Sequence, residues 1–448
     1  MTLRLSGAMV PAFVLLALLL GGSSNNLWQS AVLQLLGILL IAWAAALPQP
    51  ERIGRDGRIL LALSVCALLL VLLQLIPLSP ALWRDLPGRE PVVLGYASLG
   101  YPLPWLPLSI APEKTVQSAF GIIPPLAAML AVITLRAHRE RWIAGAVILG
   151  ALGSVLLGAM QAASPGPEAW VYIYKYTSPG AVGFFSNRNH MATLLLAAIP
   201  FAAALFAAGH PQLRSRTVAV AMVALGGGGL LLIVVGLVLN GSLAALALAA
   251  PVIAFSALLV PAGWRYRRLL VPIAALTFVA AVAVLATSWI GSAAPVNVQT
   301  DSLYSRGQIW ALTLRAVASH FPLGTGLGSF TGVYALNEDP AATTVAWVNH
   351  VHNDYLELLL ETGVPGLLLM IAFLAWFVLQ TMRVWNSPFA SLFGKAATIA
   401  AAAMLAHSIV DYPLRTTGLA VLFGACLGMM AQPPRQSRSD EARHVKIG

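Results

Sequence analysis

Three stretches of this 448-residue sequence concentrate side chains suited to proton transfer and anion binding. The first is Asn349-His350-Val351-His352-Asn353-Asp354-Tyr355-Leu356-Glu357, which runs on through Glu361 to Gly363 and Pro365. Imidazole exchanges protons near neutral pH, and a nearby carboxylate fixes its tautomer and raises its basicity. His352 beside Asp354 and Glu357 is therefore a candidate acid–base group. Read as a helix, the segment puts His352, Tyr355 and Leu356 on one face and Asn353, Glu357 and Glu361 on another. Gly363 and Pro365 then end it. Asn353 and Asp354 serve equally well as caps of a local turn, and spacing does not separate the two readings. His350 and His352 also suggest a metal, but no third ligand stands at a recognisable spacing.

The second stretch is Gly183-Phe-Phe-Ser-Asn187-Arg188-Asn189-His190, at the start of an apolar run. A guanidinium binds phosphate oxygens in bidentate fashion, and flanking amides add donors. The bland alternative is an interfacial anchor. The third begins Asp301-Ser-Leu-Tyr-Ser-Arg306-Gly-Gln-Ile-Trp310 and continues as an amphipathic helix to about His320. Ile309, Trp310, Leu314 and Val317 form its apolar face, and Arg306 shares a side with Trp310, four residues on. Phe321-Pro322 stops it. Leu323-Gly-Thr-Gly-Leu-Gly-Ser-Phe330 follows, a tight glycine turn but no dinucleotide fingerprint, because no strand precedes it and no acidic partner follows at the required distance. Asp411-Tyr412-Pro413 and Arg415 read as a short turn between two apolar runs.

These groups must be positioned by membrane helices. The chain is 59% hydrophobic and 9% charged, against roughly 25% charged in soluble domains, which excludes an ordinary cytosolic enzyme. The net charge of +10 is spread in small clusters between apolar runs, as in membrane loops, and forms no patch for nucleic acid. Cys66 and Cys426 sit inside apolar runs and read as packing residues. Arg4 and the apolar stretch Ala8 to Leu20 resemble a secretory signal; with eleven more apolar segments behind it, this stretch reads as a retained first span.

About 20 apolar residues cross the bilayer, which places spans at 8–22, 27–47, 59–78, 115–135, 142–162, 190–209, 217–239, 242–261, 269–290, 363–382, 396–411 and 416–431. The turn at Asn240-Gly241-Ser242 is the least secure boundary. With the N-terminus in the cytoplasm, most of the 26 basic residues fall on the cytoplasmic side, on both flanks of that turn, so about twelve spans with both termini cytoplasmic is the consistent solution. Residues 1–431 form one integral-membrane domain, and 432–448 a polar, disordered cytoplasmic tail. The long connections 79–114, 163–189 and 291–362 all lie outside, where the work of the protein is expected. Of Trp83, Trp105, Trp170 and Trp347 in these loops, most read as interfacial belt residues, with sugar stacking as the alternative.

Taken together, the motifs resemble one family. They are Phe-Ser-Asn-Arg-Asn-His at a span start, Ser-Arg-x-x-x-Trp followed by Pro-x-Gly-x-Gly-x-Gly-x-Phe, then His-Asn-Asp-Tyr-Leu-Glu with Glu-x-Gly behind it. Leu75-Ile-Pro-Leu-Ser-Pro-Ala-Leu-Trp83 with Leu86-Pro-Gly-Arg89, and His407-Ser-Ile-Val-Asp411-Tyr-Pro-Leu-Arg415, agree in order and topology. This constellation resembles the O-antigen ligase and polysaccharide polymerase superfamily of bacterial inner membranes. The resemblance implies an all-α polytopic fold with membrane-helical, GT-C-like glycosyltransferase architecture and an active site facing the periplasm. It implies a glycan donor on undecaprenyl diphosphate, and an acceptor that is lipid A–core, another lipid-linked unit or a protein. Membrane lipids surround it, and no nucleotide sugar, cofactor or metal is needed for the transfer. The departing diphosphate needs fixed cations, a role that falls to Arg306 and Arg188 with Asn187 and Asn189. His352 takes or orients the acceptor proton, supported by Asn353, Asp354, Tyr355, Glu357 and Trp310. Many relatives carry Ser-Arg where this chain reads Ser242-Leu243, so one phosphate-gripping arginine is missing. The competing class is a multi-span transporter or flippase for a lipid-linked or anionic substrate, which needs ionisable groups inside its spans.

Overall fold

The computed structural model describes residues 2–24, 28–46, 53–135, 140–163, 172–174, 181–209, 216–260, 265–287, 303–338 and 348–432. The sequence-read tail from 433, the start of the third outside segment, and Trp170 and Trp347 lie outside the described residues. The helices are α1 (Thr2–Leu20), α2 (Trp28–Ala46), α3 (Arg55–Leu73), α4 (Pro80–Trp83), α5 (Glu90–Ser98), α6 (Pro112–Gly121), α7 (Ile123–Leu135), α8 (Glu140–Ala163) and α9 (Arg188–Gly209). They continue as α10 (Arg216–Asn240), α11 (Leu243–Ala257), α12 (Arg267–Thr287), α13 (Leu303–Ser319), α14 (Phe330–Asn337), α15 (Asp354–Asn386), α16 (Leu392–His407) and α17 (Thr417–Ala431). Pro413–Arg415 makes one 3-10 turn, and β1 (Pro77–Leu78) pairs antiparallel with β2 (Leu106–Pro107).

The helices follow from the composition, because a helix satisfies every backbone polar group within its own segment, as a chain without water around it must. Six described helices, with α6 and α7 counted as one unit, are long and apolar enough to cross a membrane, and five shorter apolar helices accompany them. The architecture is all-α and polytopic. Its outer faces carry rows of exposed large apolar side chains, such as Leu35, Ile38 and Leu39 on α2, Val65, Leu69, Leu72 and Leu73 on α3, and Leu368, Ile371, Val378 and Leu379 on α15. Such rows suit a lipid-facing wall and would be costly in water. Within, α9 is the most enclosed of the six. Small residues bring backbones together: a side chain at Gly424 of α17 would strike the Pro125 carbonyl of α7, and one at Gly428 would sit 2.8 Å from Val132 Cβ. Cys426 packs in this core, whereas Cys66 is exposed on α3, so only one of the two cysteines is a core residue.

Between Asn240 and Leu243 the chain breaks into two helices, at Gly241 with φ 69°. The outer loop after α3 is folded onto the body. Trp83 is fully buried and donates from Nε1 to the Pro104 carbonyl at 2.9 Å, with the Arg89 guanidinium 5.8 Å from its ring. Trp83 is therefore a core residue of this loop and not a belt residue; Trp105 is 67% exposed. The amide of Gln74 ties the loop to the site: Nε2 donates to the Glu361 carbonyl at 2.9 Å and Oε1 accepts from Leu327 N at 3.0 Å.

Two glycines shape the approach to the site. Gly326, at φ 98°, lies so close to Ser109 that a Cβ would collide with its hydroxyl. Gly363, at φ 59° and ψ −150°, kinks α15, and a Cβ there would run into the Pro322 carbonyl. The sequence pattern ends a helix at Gly363 and Pro365; the structure bends there and continues to Asn386. The kink sets residues 354–362 apart from the apolar remainder of the helix.

Candidate active site

The sequence pattern carries a helix through His352; the structure starts α15 only at Asp354. Asn353 is extended and caps it, its Oδ1 accepting from Leu356 N at 2.9 Å. His352 stands just before the cap with φ 57°, a left-handed conformation that costs a non-glycine residue on the order of 1 kcal/mol. Its neighbours hold it there. Trp310 Nε1 donates to the Val351 carbonyl at 2.8 Å, the Val351 amide donates to Glu357 Oε2 at 2.9 Å, and the Asp354 amide donates to the Ser408 carbonyl at 3.0 Å. The His352 ring is aimed by this clamp and bonds through Nδ1 to Asp411 Oδ1 at 3.1 Å.

Asp411 is buried. Burial alone would raise its carboxyl, but the hydrogen bond and charge of His352, with His190 and Arg306, hold it below the usual carboxylate range. An ionised Asp411 takes the Nδ1 proton of His352 as its hydrogen-bond donor, leaving Nε2 free to accept another proton. Tyr412 is the hub of the site. Its ring meets those of His350 at 4.3 Å and of His190 and His352 at 4.8 Å, and its hydroxyl hydrogen-bonds with Asn187 and Asn349.

A second dyad and an ionic cluster adjoin the first. His350 Nδ1 lies 2.8 Å from Glu357 Oε1. Arg415 reaches three carboxylates one helical turn apart on α15: Asp354 at 3.6 Å, Glu357 at 3.2 Å and Glu361 at 3.0 Å. One guanidinium does not neutralise three buried acids. Burial pushes Asp354 up to about 7 against the pull of Arg415 and of the Ser408 hydroxyl, 2.8 Å away. Glu357 also feels burial, yet Arg415 and His350 together hold it down to about 2. Glu361 is raised by burial and takes a hydrogen bond from Gly328 N at 2.8 Å.

Opposite lies the start of α9. Asn187 Oδ1 caps it by accepting from Asn189 N at 2.9 Å. Asn189 Oδ1 accepts from the Ser242 hydroxyl at 2.8 Å, and Asn240 Nδ2 donates to the Arg188 carbonyl at 2.8 Å. The turn at Asn240–Ser242 thus clamps the backbone of Arg188, while Leu243 is 75% exposed. Arg188 and Arg306 are half-buried; their guanidinium groups make no hydrogen bond or close ion pair among the described residues, though the charge of Arg306 acts on Asp411.

The structure therefore gathers His352, Arg306, Trp310 and the Asn187–Asn189 segment around Asp411 and Tyr412. Asp354 and Glu357 are near by but serve Arg415 and His350, not His352. Tyr355 points to packing, its hydroxyl donating to the Leu405 carbonyl at 2.7 Å. On α13, Thr313 occupies the buried stripe with Ile309, Trp310 and Ala316, its hydroxyl satisfied by the Ile309 carbonyl at 2.6 Å, and Leu314 faces outward at 47% exposure. Sequence reading passed over Asp411, Tyr412 and Arg415 as a turn. The available signal was a run of ionisable and aromatic residues wedged between two apolar helices. Among the described residues no group of three or more His, Cys, Asp or Glu is placed to hold a metal ion.

A cavity of about 820 Å³ opens on the Arg415 side, walled by α2, α6, α14 and the segments around His350 and Arg415. Neither His352, Arg188 nor Arg306 lines it.

No curated protein matches the chain. A family model for O-antigen ligase matches residues 228–371, from within α10 to beyond the kink of α15. The matched segment contains Arg306, Trp310, the glycine turn, both histidines and the carboxylates of α15, and stops short of Asp411 and Arg415. That match, over the segment that builds most of the site, supports placing this chain in the O-antigen ligase superfamily.

Proposed function

We propose that the protein is a glycosyltransferase with twelve membrane spans and a GT-C-like arrangement. It sits in a bacterial inner membrane with both termini cytoplasmic. It moves a glycan from undecaprenyl diphosphate to a hydroxyl of lipid A–core, of another lipid-linked unit or of a protein, on the periplasmic face. The observation that carries this reading is His352, hydrogen-bonded to buried Asp411, whose carboxylate also feels the charge of Arg306.

In the transfer the acceptor oxygen attacks the anomeric carbon as the bond to the diphosphate oxygen breaks. The acceptor proton passes to His352 Nε2, while Asp411 stabilises the imidazolium that forms. The electron pair leaves with the diphosphate, whose growing charge Arg306 and Arg188 meet with preset donors. Attack opposite the leaving group inverts the anomeric centre. Two fixed guanidinium groups do the electrostatic work a divalent metal does elsewhere, so the step is metal-independent. Against a transporter or flippase stands the placement of the polar groups. They gather at the start of α9, before the kink of α15 and in the turn after α16, all at one end of their helices.

The test is His352→Ala in a strain lacking the native gene. At normal protein level the surface glycan is expected to be lost; normal glycan would remove His352 from the reaction.

A further inference from the structure

None of His352, Arg188 and Arg306 lines the large cavity, which has a different character. Ser30 and Gln34 from α2, Gln117 and Ser118 from α6, Thr331 from α14 and Thr417 from α17 face it. Lys114 of α6 stands among them, and the rest of this lining is hydroxyls and amides, able both to donate and to accept. Its floor is the Arg415 cluster, in which three carboxylates outnumber one guanidinium. With Lys114 also on the lining, three carboxylates face two cations, so a diphosphate entering there would find no surplus of positive charge. A neutral polyhydroxyl ligand would instead find paired donors and acceptors, with Ile122 and Leu358 as apolar walls for its C–H faces.

His350 connects the cavity to the His352–Asp411 pair. It lines the cavity, is held by Glu357 at 2.8 Å, and stacks on Tyr412, whose ring also meets His352. A sugar seated in the cavity would present a terminal hydroxyl past His350 toward His352, which the donor approaches from the arginine side.

We infer that this cavity is a saccharide subsite that holds the acceptor glycan, with Gln34, Ser118 and Thr331 as specificity-determining residues and His350 as a positioning residue. Its role as the acceptor side rests on the transferase reading; its binding of neutral saccharide stands on the cavity alone.

The experiment uses the full-length protein in detergent. The probes are neutral oligosaccharides released by mild acid from the surface glycans of the strain carrying the gene, and inorganic pyrophosphate. Binding of oligosaccharide is read by saturation-transfer NMR for the native protein, for the filled variants Ser118→Trp and Thr331→Trp, and for the conservative variant Gln34→Ala. Matching thermal unfolding shows that each variant is folded. The filled variants are expected to weaken oligosaccharide binding at least about tenfold, Gln34→Ala to weaken it less, and pyrophosphate to compete with none of it. Undiminished binding in folded Thr331→Trp, or displacement by pyrophosphate, would overturn the subsite. A parallel transfer assay from lipid-linked glycan separates the two claims. Transfer with saccharide binding insensitive to filling sinks the subsite and spares the transferase; binding quenched by filling without any transfer does the reverse.

Discussion

Arg415→Met should destabilise the fold in a strongly pH-dependent way. The substitution keeps the bulk of the stem and removes the one guanidinium that, among the described residues, is bound to Asp354, Glu357 and Glu361. Breaking a buried ion pair from one side costs about 3–5 kcal/mol, because the orphaned charge stays buried. Here the cost is moderated. Asp354, already up at about 7, takes a proton readily, and Glu357 retains His350. A loss of about 3 kcal/mol at pH 8 is therefore expected, a fall in Tm on the order of 5 °C. Glu357, held down to about 2 from 4.5, contributes stability above pH 4.5 that fades as pH falls toward 2. Asp354 acts with the opposite sign: its raised carboxyl costs stability as pH climbs from 3.8 through about 7. Without Arg415 all three acids rise further, so the penalty grows with pH and shrinks toward pH 5, where they accept protons. Thermal unfolding in detergent at pH 5 and pH 8 reads this directly, and adding Glu361→Gln should restore part of the loss at pH 8. Equal Tm shifts at the two pH values, or none at either, would refute the charge argument.

The other substitutions probe the clamp and the turn. Asp411→Asn should lower transfer on the order of 100-fold at unchanged fold, because an amide neither stabilises the His352 imidazolium nor enforces its tautomer; an unaltered kcat in the purified protein would contradict that. Trp310→Phe keeps the ring but leaves the buried Val351 carbonyl without its donor, at a cost of about 1–2 kcal/mol. It should depress kcat several-fold, and a change in stability alone would show that the left-handed geometry of His352 does not depend on it. Gly326→Ala should cost about 1–3 kcal/mol, from the collision with Ser109 and the φ of 98°; a wild-type melting temperature would refute the close packing of the turn.

The apolar helices were legible because a run of apolar residues is a local signal, readable without knowing its neighbours. Arg188, Arg306 and His352 stood out for the same reason, each in a polar motif beside an apolar run. What decides their electrostatics was not local. Asp411 lies 59 residues from His352, and the Gln74 bridge to Glu361 spans 287 positions. Spacing within one helix favoured Asp354 and Glu357 as partners of His352. Yet His352 is left-handed and outside the helix, so its ring turns away from both and toward the next helix connection. The burial of Trp83 was hidden for a related reason: only the folded loop shows that its indole has a carbonyl to bond to.

In the proposed reaction fixed arginines, not a metal, stabilise the departing diphosphate while His352 serves the acceptor. The most direct measurement is transfer from undecaprenyl-diphosphate-linked glycan to candidate acceptors by the purified protein in liposomes, in EDTA and without nucleotide, for the native chain and for Arg306→Ala. Transfer is expected to survive EDTA and to fall by about 100-fold or more in Arg306→Ala. Loss of transfer on chelation, or wild-type rates in the folded arginine variant, would contradict it.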